Sequence, residues 1–471
     1  MNNLILAWRN LWRNRRRTLI TSASIFFAVF FALVMRSLQL GSYDHMYKNA
    51  IESYTGYIQV QQKDFWDEKI VDNTFHYDQN LEQQILGDAN VEAAIPRFES
   101  FALASNGPQT KGVLVMGVDP NKEKYLSKVL ERMVVYRLSP EAISQIEQNA
   151  SIPDKVKELL PLFENNAYTN AARLQLDLGI SDKDAPALMP AIEEYCRFEN
   201  GQIHMGESGV WVGHKLSQYL ELGIGDTIVL ISQGYHATTA AGKYEIKGIV
   251  KLPLPDIDNK IVYLPLDICQ GLFNAEGNLT SLALAVNDNG DKAIAETLER
   301  IQVLLPDDQK VMEWREMNDV MVSQMEADNK SGMIMLGILY LVIAFGVFGT
   351  VLMLTAERRR EFGVLVAIGM QKKKLASIMT QEMILIGLIG ILAGALVASV
   401  LILYGVDHPL IFKGEMAKMF EDYGFEPKMA FWPIDTYYIW QMVIVGFMVL
   451  ISIGYPIRKI FGMKVVNALR A

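Results

Sequence analysis

The sequence predicts an α-helical membrane protein in which one transmembrane helix is followed by a large α+β domain outside the membrane and then by three more transmembrane helices. Two observations predict this class. The apolar residues are concentrated in four runs, and a charged stretch of about 290 residues separates the first run from the other three. With 51 % hydrophobic residues, the chain also has too much apolar surface to be a disordered protein.

The four apolar runs are long enough to cross a lipid bilayer. The predicted spans are TM1 (19–40), TM2 (333–354), TM3 (383–404) and TM4 (435–456). A helix of 22 residues is about 33 Å long, and the hydrocarbon core of a bilayer is about 30 Å thick. TM1 is predicted to remain as a span, because its apolar stretch is longer than that of a signal peptide and no small-residue cleavage pattern follows it.

The basic residues predict the orientation of these spans. The segment 1–18 contains five Arg and no acidic residue, the loop 355–382 contains six basic and three acidic residues, and the tail 457–471 contains four basic residues. Since Lys and Arg are enriched in cytoplasmic segments, all three are predicted to be cytoplasmic. The segments 41–332 and 405–434 are then outside, and the first of these has 44 acidic against 25 basic residues, which agrees with that placement.

The exterior domain is predicted to be an α+β core with a helical insertion at about 122–200. The insertion is rich in Leu, Glu, Lys and Ala and is interrupted by prolines, which favours several short helices. Residues 216–222 predict another short helix. The polar stretches 41–52 and 312–332 are predicted to continue the first two spans as helices, either as stalks that transmit motion or as simple connectors. Short strands are predicted at 54–60, 111–118, 209–213, 226–232, 244–250, 260–264 and 280–286.

No catalytic or metal-binding pattern is present in the sequence. It lacks G-x-x-x-x-G-K-[ST], H-E-x-x-H and G-x-S-x-G, so we expect neither an enzyme nor an ATP site in this chain. His204, Glu207 and His214 have no standard metal-ligand spacing, so no metal is expected. The net charge of −9 argues against binding to nucleic acid. Cys196 and Cys269 either form one disulfide or are two unrelated buried thiols.

The spans do not indicate a conduction pathway. Ionisable residues lie only at span ends, at Arg36 and Glu382, whereas ion and proton routes normally place such residues inside the spans. Gly390 and Gly394 form a G-x-x-x-G pattern, and Gly387 extends it by one turn. Small residues allow helices to approach closely, so these three glycines are predicted to be helix-packing positions.

The N-terminal segment 1–18 predicts an amphipathic helix lying in the membrane interface. Arg9 and Arg13 lie on its polar side. Four apolar residues recur at the spacing of the opposite helix face, namely Leu4, Trp8, Leu11 and Trp12. Trp on one side and Arg on the other is typical of a helix that contacts membrane lipid. The simpler alternative is a segment that only anchors the chain and sets its topology.

The loop 355–382 has the pattern of a docking element. Charged residues come first, followed by a short apolar helix with small residues and then by three Lys. An amphipathic helix exposed between two spans offers a surface to a cytoplasmic partner, although a basic loop that only sets topology is the simpler alternative. The candidate coupling residues are Glu357, Arg358, Glu361, Phe362, Gly363, Leu365, Ala367 and Gly369.

This loop resembles the signature of FtsX/MacB-type ABC permeases, E-R-x-x-E-x-G-x-L-x-A-x-G after the second of four spans, which matches residues 357–369. Residues 7–18, with the pattern A-x-R-N-L-x-R-N-x-x-R-T, and the C-terminal residues 455–471 are also similar to this family, as are 117–120 and 209–226. The resemblance covers most of the chain except about 122–200. It implies a MacB-like periplasmic core in the exterior domain.

The resemblance implies a permease subunit whose ATPase is a separate protein. Two such permease subunits, identical or different, would work with a cytoplasmic dimer of ABC ATPases that binds ATP and Mg, so no cofactor is expected in this chain. The family location is the bacterial inner membrane, with both termini in the cytoplasm and the large domain in the periplasm. The family works by mechanotransmission, in which nucleotide-driven movement passes through the coupling loop to the exterior domain.

Among the roles known in the family, we expect that of the LolC/LolE branch. This branch releases lipoproteins from the inner membrane toward the outer membrane through a periplasmic carrier. Residues 314–318 (WREMN) resemble that branch, and the exterior domain is larger than that expected of FtsX. In the LolC/LolE branch, however, the coupling loop departs from E-F-G, whereas this chain keeps that sequence of the broader family. MacB-like efflux of peptides or antibiotics and FtsX-like activation of a cell-wall hydrolase are therefore the alternatives.

Overall fold

A computed structural model describes residues 3–13, 15–412, 416–417, 419–420 and 426–464. Parts of the predicted loop 405–434 and of the predicted tail 457–471, and the side chain of Leu4, therefore lie outside the described residues. The chain divides into two compact units. The helical unit comprises Met1–His45, Met321–Ile411 and Lys428–Ala471, and the sheet domain comprises Met46–Val320 and Phe412–Pro427.

The elements of the described residues follow in chain order. The helices are α1 (Asn3–Arg13), α2 (Arg15–Ala50), α3 (Gln79–Leu86), α4 (Pro120–Glu123), α5 (Pro140–Gln148), α6 (Asp154–Lys157), α7 (Ala171–Asp177), α8 (Ala185–Cys196), α9 (His214–Tyr219), α10 (Pro255–Asp258), α11 (Leu266–Leu272), α12 (Asp291–Leu304), α13 (Trp314–Met317), α14 (Asp319–Glu357), α15 (Arg359–Ala367), α16 (Lys372–Asp407) and α17 (Thr436–Phe461). The strands are β1 (Ile58–Gln62), β2 (Phe75–His76), β3 (Val91–Ser105), β4 (Thr110–Val118), β5 (Tyr136–Arg137), β6 (Ala167–Tyr168), β7 (Val210–Gly213), β8 (Thr227–Gln233), β9 (Thr239–Val250), β10 (Ile261–Pro265), β11 (Asn278–Leu279), β12 (Ser281–Val286), β13 (Gln309–Glu313), β14 (Leu410–Ile411) and β15 (Lys428–Met429).

Four of these helices, α2, α14, α16 and α17, are long and apolar enough to cross a membrane. The predicted spans TM1, TM2 and TM3 lie within α2, α14 and α16, and TM4 lies within α17 apart from Asp435, which precedes the helix. Together with the sheet domain between α2 and α14, they confirm the predicted fold class, in which one span and a large α+β domain precede three further spans.

The helices α2 and α14 extend well beyond their apolar runs, to 36 and 39 residues. Their polar ends are joined by side-chain hydrogen bonds within the helical unit. Nη1 of Arg36 donates to Oδ1 of Asn329 at 2.7 Å, and Tyr43 donates to Asp328. The predicted helix 312–332 is wrong at its beginning, because Met312 and Glu313 belong to β13.

The sheet domain is built on a nine-stranded sheet with the order β13-β1-β12-β3-β4-β10-β7-β9-β8. The strand β8 also pairs with β3, so six strands from β3 to β8 in this order form a closed circuit. The pairs β4–β10 and β7–β9 are parallel, and the others in the sheet are antiparallel. Closure of the circuit leaves these strands without an unpaired edge, which protects a sheet from pairing with other chains.

The long central strand β3 was not predicted from the sequence, although it pairs with β4, β8 and β12. Its middle is buried on both faces, so the alternation of apolar and polar residues that marks a half-buried strand is absent. It also carries buried charges with partners elsewhere in the chain. Arg97 forms an ion pair with Glu123, and Glu99 accepts from Nζ of Lys69 at 3.0 Å.

The seven strands that were predicted are all present. Their ends agree within one or two residues, except that β9 begins earlier and β1 begins later than predicted. Residues 54–60 were predicted as one strand. Instead, Ile51–Thr55 form a π-helical turn and β1 begins at Ile58. The chain leaves this turn through Gly56, whose φ of +69° is a conformation that residues with a side chain rarely adopt. The predicted helix 216–222 begins two residues earlier and corresponds to α9.

The insertion between β4 and β7 contains several short helices, as predicted, together with the short paired strands β5 and β6, and it has a hydrophobic cluster of its own. Leu138, Ile146 and Ile192 are buried in that cluster together with Cys196. Cys269 lies in α11 instead, and both cysteines are free and buried. The two thiols are therefore unrelated. Burial raises the pKa of Cys196 to about 12 and also raises the pKa of Cys269.

The turn from β7 into α9 is held by a buried carboxylate. Asp258 accepts hydrogen bonds from the backbone N–H groups of Lys215 and Leu252, both at 2.8 Å, and of His214 at 3.3 Å. Burial raises the pKa of Asp258 to about 6, although these bonds favour its charged form. Burial, together with the nearby positive charges of Lys251, Arg137 and Lys215, lowers the pKa of His214 to about 3.

His214 is expected to make the sheet domain sensitive to acid. In the folded chain His214 stays neutral, whereas in the unfolded chain it takes up a proton as the pH falls below about 6.5. The stability that the lowered pKa of His214 contributes is therefore fully present above pH 6.5 and is lost as the pH falls toward 3. Between pH 7 and pH 5 we expect His214 by itself to lower the free energy of unfolding by about 2 kcal/mol. It can be measured by hydrogen exchange of the β7 amides in the full chain.

The replacement His214→Gln is expected to remove this part of the pH dependence, and His204→Gln, at an exposed position, is the matched control. Asp258 acts in the opposite direction, because its raised pKa contributes stability at low pH that is lost as the pH rises through about 6. Asp258 is present in both variants, so their difference isolates His214. An equal pH dependence in the two variants would contradict the prediction.

Candidate coupling site

The loop between α14 and α16 folds into the short helix α15. Arg358 has φ −91° and ψ 3° and separates α14 from α15. Glu361 lies in the first turn of α15, where a carboxylate interacts favourably with the helix dipole. Gly369 ends the segment with a φ of +106°, which glycine adopts without strain. The predicted sequence of charged residues, short helix and glycine therefore has a direct structural counterpart.

A buried ion pair fixes the start of α15 against α16. Nη1 of Arg358 donates to Oε1 and Oε2 of Glu382 at 2.7 and 2.6 Å. Both side chains are only 7 % exposed, and the guanidinium of Arg358 lies 5.4 Å from the ring centre of Phe362. Removing two charges from water is costly unless they are paired with good geometry. Arg358 is therefore held inside the helical unit and is not a surface contact.

Glu382 was not predicted as a site residue, because in the sequence it only marks the end of an apolar run. Its partner lies 24 positions earlier, at the end of the preceding run. Opposite charges at the facing ends of two consecutive spans are the signal that could have indicated the pair. A single sequence does not show which of the six basic residues in 355–382 lies next to it.

A second, exposed ion pair joins α15 to α1. Nη2 of Arg13 lies 2.9 Å from Oε2 of Glu361, and the two side chains are 59 % and 48 % exposed. The same Glu361 oxygen is 3.3 Å from Nε of Arg358. The four charged residues form a continuous series of ion pairs, from Arg13 to Glu361, from Glu361 to Arg358 and from Arg358 to Glu382. It connects α1, α15 and α16.

The candidate coupling residues point in different directions. Phe362 and Gly363 are buried, so they pack against the helical unit itself. The candidate Leu365 is exposed, and so are Val364 and Ile368, which were not predicted as coupling residues; Ile368 is 80 % exposed. Three further candidates are also exposed, namely Glu357, Ala367 and Gly369. One side of the α15 segment thus anchors it, and the other presents apolar side chains to its surroundings.

The helix α1 packs against α16 through one row of its residues. Ala7 and Leu11 are buried, and Leu11 belongs to the same hydrophobic cluster as Leu375 and Met379. Trp8 and Trp12 form the neighbouring row, are exposed and lie edge to face with ring centres 6.1 Å apart. The apolar residues of α1 therefore divide between an inward and an outward row. Arg9 is exposed as well.

A cavity of about 610 Å³ lies beside α1 and α15. Its lining includes Leu6, Asn10 and Arg13 of α1 and Leu365 of α15. This volume falls within the usual range for binding pockets in proteins. No group of three or more His, Cys, Asp or Glu side chains that could hold a metal ion occurs among the residues that the structure describes.

The three predicted packing glycines lie where α16 meets other helices. A Cβ atom on Gly390 would be 2.8 Å from Cβ of Ile25 and 2.8 Å from the carbonyl oxygen of Ser22, both in α2. One on Gly394 would be 2.7 Å from the carbonyl oxygen of Phe26, also in α2. One on Gly387 would be 2.9 Å from Val449 in α17. These contacts leave no space for a side chain.

Residues 333–465 match the model of the family described as FtsX-like permease C-terminal, and this region includes α15, the buried ion pair and the packing glycines. The chain is also 23 % identical over 198 residues to the lipoprotein-releasing system transmembrane protein LolC of Xylella fastidiosa strain Temecula1. The LolC protein of strain 9a5c is equally similar. The match covers 41 % of this chain and 47 % of LolC, so the chain spans about half the length of these relatives.

Two solved structures are similar to part of the chain. The periplasmic region of MacB from Actinobacillus actinomycetemcomitans covers 58 % of this chain and 95 % of its own, at 8 % identity and a TM-score of 0.29. The extracellular domain of the ABC-type transporter YknZ from Gram-positive bacteria covers 55 % and 100 %, at 10 % identity and a TM-score of 0.28. The region that matches the FtsX-like permease C-terminal family thus contains most of α14 and all of α15, α16 and α17, and part of the chain is similar to LolC.

Proposed function

We propose that this chain is the transmembrane subunit of an ABC transporter and that it transmits the movement of a separate ATPase, which binds ATP and Mg. In this proposal α15 and both termini lie in the cytoplasm, and the sheet domain lies on the other side of a bacterial inner membrane. The basic residues that flank the long helices support this orientation. A second permease subunit, identical or different, completes the assembly.

One observation carries the proposal, namely that α15 is anchored on one side and exposes apolar residues on the other. Val364, Leu365 and Ile368 offer an apolar contact surface at the end of two membrane-spanning helices. Exposed apolar groups next to polar residues are typical of protein interfaces. We therefore assign the ATPase contact to these three residues, while Phe362 and Gly363 hold the helix in place from behind.

The contacts behind α15 favour transmission of movement. Displacement of α15 would pull on α16 through the buried pair of Arg358 and Glu382 and on α1 through the pair of Glu361 and Arg13. The helix α16 in turn packs on α2 at Gly390 and Gly394 with no space to slide freely. Close-packed interfaces pass on small shifts, because they cannot deform continuously.

The replacement Ile368→Glu is expected to weaken ATPase binding by about 30-fold, because burying an unpaired carboxylate in an apolar contact costs about 2 kcal/mol or more. The measurement is the amount of ATPase that co-purifies with the tagged full chain in mild detergent. Val303→Glu is the matched control, because Val303 is 85 % exposed and lies in the sheet domain. Unchanged co-purification of the ATPase with Ile368→Glu would contradict the assignment of this surface.

The similarity to LolC supports lipoprotein release as the specific role, with transfer to a periplasmic carrier. The test is mass spectrometry of proteins that co-purify from the native membrane. Acylated lipoproteins together with an ATPase are the expected result. A wall hydrolase in their place would favour FtsX-like activation, and an ATPase without lipoproteins would favour MacB-like efflux of peptides or antibiotics. Absence of any ATPase, with the chain still folded, would contradict the whole proposal.

A further inference from the structure

A second cavity, of about 400 Å³, lies in the helical unit at the end of α17. Four basic residues line it, namely Arg359, Arg458, Lys459 and Lys464. Buried Phe362, Ile460 and Met463 form its apolar walls. We call it the basic pocket. It differs from the cavity beside α1, since the two share only Phe362.

The basic pocket contains no negative charge of its own. None of its lining residues is acidic. Within the described part of the chain, none of its four basic side chains has a carboxylate oxygen within 4.0 Å, whereas the nearby Arg13 and Arg358 both do. Four like charges around one cavity repel each other, although Arg458, Lys459 and Lys464 are exposed, so water weakens the repulsion. An anion bound in the pocket would reduce this repulsion.

The basic side chains are also not needed to cap α17. Nζ of Lys372, at the start of α16, donates to the carbonyl oxygens of Phe461 and Met463 at 3.1 and 2.8 Å. The partial negative charge at the C-terminus of α17 is therefore already compensated by Lys372. The four positive charges of the basic pocket remain available to a ligand.

The position of the pocket indicates which anion would reach it. It lies where α14 and α17, two helices long enough to cross a membrane, end. About two to three turns before the pocket, α17 exposes Phe447, Leu450 and Ile451, which are typical of a lipid-facing surface. A phospholipid with its acyl chains along this surface would bring its phosphate to the level of Arg458 and Lys459. Basic pockets at the ends of spans bind anionic lipid headgroups in this way.

We propose that the basic pocket binds the headgroup phosphate of an anionic phospholipid. The planar guanidinium groups of Arg359 and Arg458 can each bind two phosphate oxygens, and Lys459 and Lys464 add point charges. The apolar walls exclude water from one side of the headgroup. The lipid would tie the start of α15 to the end of α17, both of which contribute to the pocket. The site requires neither the ATPase nor the cargo of the proposed function.

The test is native mass spectrometry of the full chain in detergent, titrated with phosphatidylglycerol and, separately, with phosphatidylcholine. We expect phosphatidylglycerol to bind at least about 10-fold more tightly. The double variant Arg458→Gln with Lys459→Gln should weaken phosphatidylglycerol binding by about 30-fold, since each cation near a headgroup contributes about one factor of five. Lys464→Gln alone should weaken phosphatidylglycerol binding by about fivefold. This single variant tests the proposal if the double variant does not fold.

The matched control is Lys373→Gln with Lys374→Gln, which removes the same charge from exposed residues outside the pocket and should change the affinity less than twofold. Exchange of the two pocket residues, Arg458→Lys with Lys459→Arg, should retain binding. Equal binding of the two lipids, or an equal loss in the pocket and control variants, would overturn the proposal. Displacement of phosphatidylglycerol by inorganic phosphate at equal concentration would also overturn it, because it would indicate a site for free phosphate.

Discussion

Replacement of Glu382 by alanine is expected to lower the free energy of unfolding of the helical unit by about 3–5 kcal/mol. The variant leaves the guanidinium of Arg358 buried without the carboxylate that binds it through both oxygens, and among the described residues Glu361, at 3.3 Å, is then its one carboxylate partner. A buried charge without compensation is among the most destabilising changes a protein can undergo. The measurement is thermal or denaturant-induced unfolding of the full chain in detergent micelles.

Two controls separate the buried pair from charge removal in general. Glu361→Ala breaks the exposed pair with Arg13 and the longer contact with Arg358, but it leaves the pair of Arg358 and Glu382 in place. It is expected to cost less than about 1 kcal/mol, because the Glu361 side chain is half exposed and its ion pairs are screened by water. Replacing both buried partners, Arg358→Met with Glu382→Leu, should restore most of the stability, since apolar residues of similar size fill such sites well. Similar losses in Glu382→Ala and Glu361→Ala would contradict the structure of this site.

The replacement Gly390→Ala is expected to destabilise the helical unit by about 3 kcal/mol, at the upper end of the range for overpacked sites. The new Cβ would lie 2.8 Å from Cβ of Ile25 and from the backbone oxygen of Ser22. Neither atom can move away by a side-chain rotation, so α2 and α16 must separate. Separation of the helices would remove contacts along their whole interface. Unfolding in detergent micelles measures the effect.

The matched control for this prediction is Gly346→Ala in α14. A Cβ on Gly346 would have no heavy atom within 4 Å outside its own helix and chain neighbours. Alanine is preferred over glycine in a helix by up to about 1 kcal/mol, so this variant is expected to be as stable as the unmodified chain or slightly more stable. If both glycine variants behaved alike, Gly390 would not be a close-packing position.

The buried side of α15, together with Arg358, is packed into the helical unit. Phe362 packs inside, Arg358 is paired and Glu361 reaches α1. Variants at these positions would therefore change the stability of the unit as well as any contact with a partner. Ile368 and Leu365 are better probes of partner binding, because their side chains are exposed.

Large parts of this protein were determined by the sequence alone. The four apolar runs predict the apolar parts of the four long helices within a few residues. This is possible because the length needed to cross a bilayer and the exclusion of charge from it are properties of composition. The helix α15, its terminal Gly369 and the packing glycines could also be predicted, since helical periodicity and the conformational freedom of glycine are local properties.

Only the tertiary structure decided which residues meet. The strand β3 escaped prediction because it is buried on both faces and its charges are neutralised by Lys69 and Glu123, which lie elsewhere in the chain. In the same way, the pairing of Arg358 with Glu382 and the outward position of Trp8 depend on how α1, α15 and α16 pack. Charge pairing and burial depend on distances between segments that are remote in sequence, and the order of residues along the chain does not contain those distances.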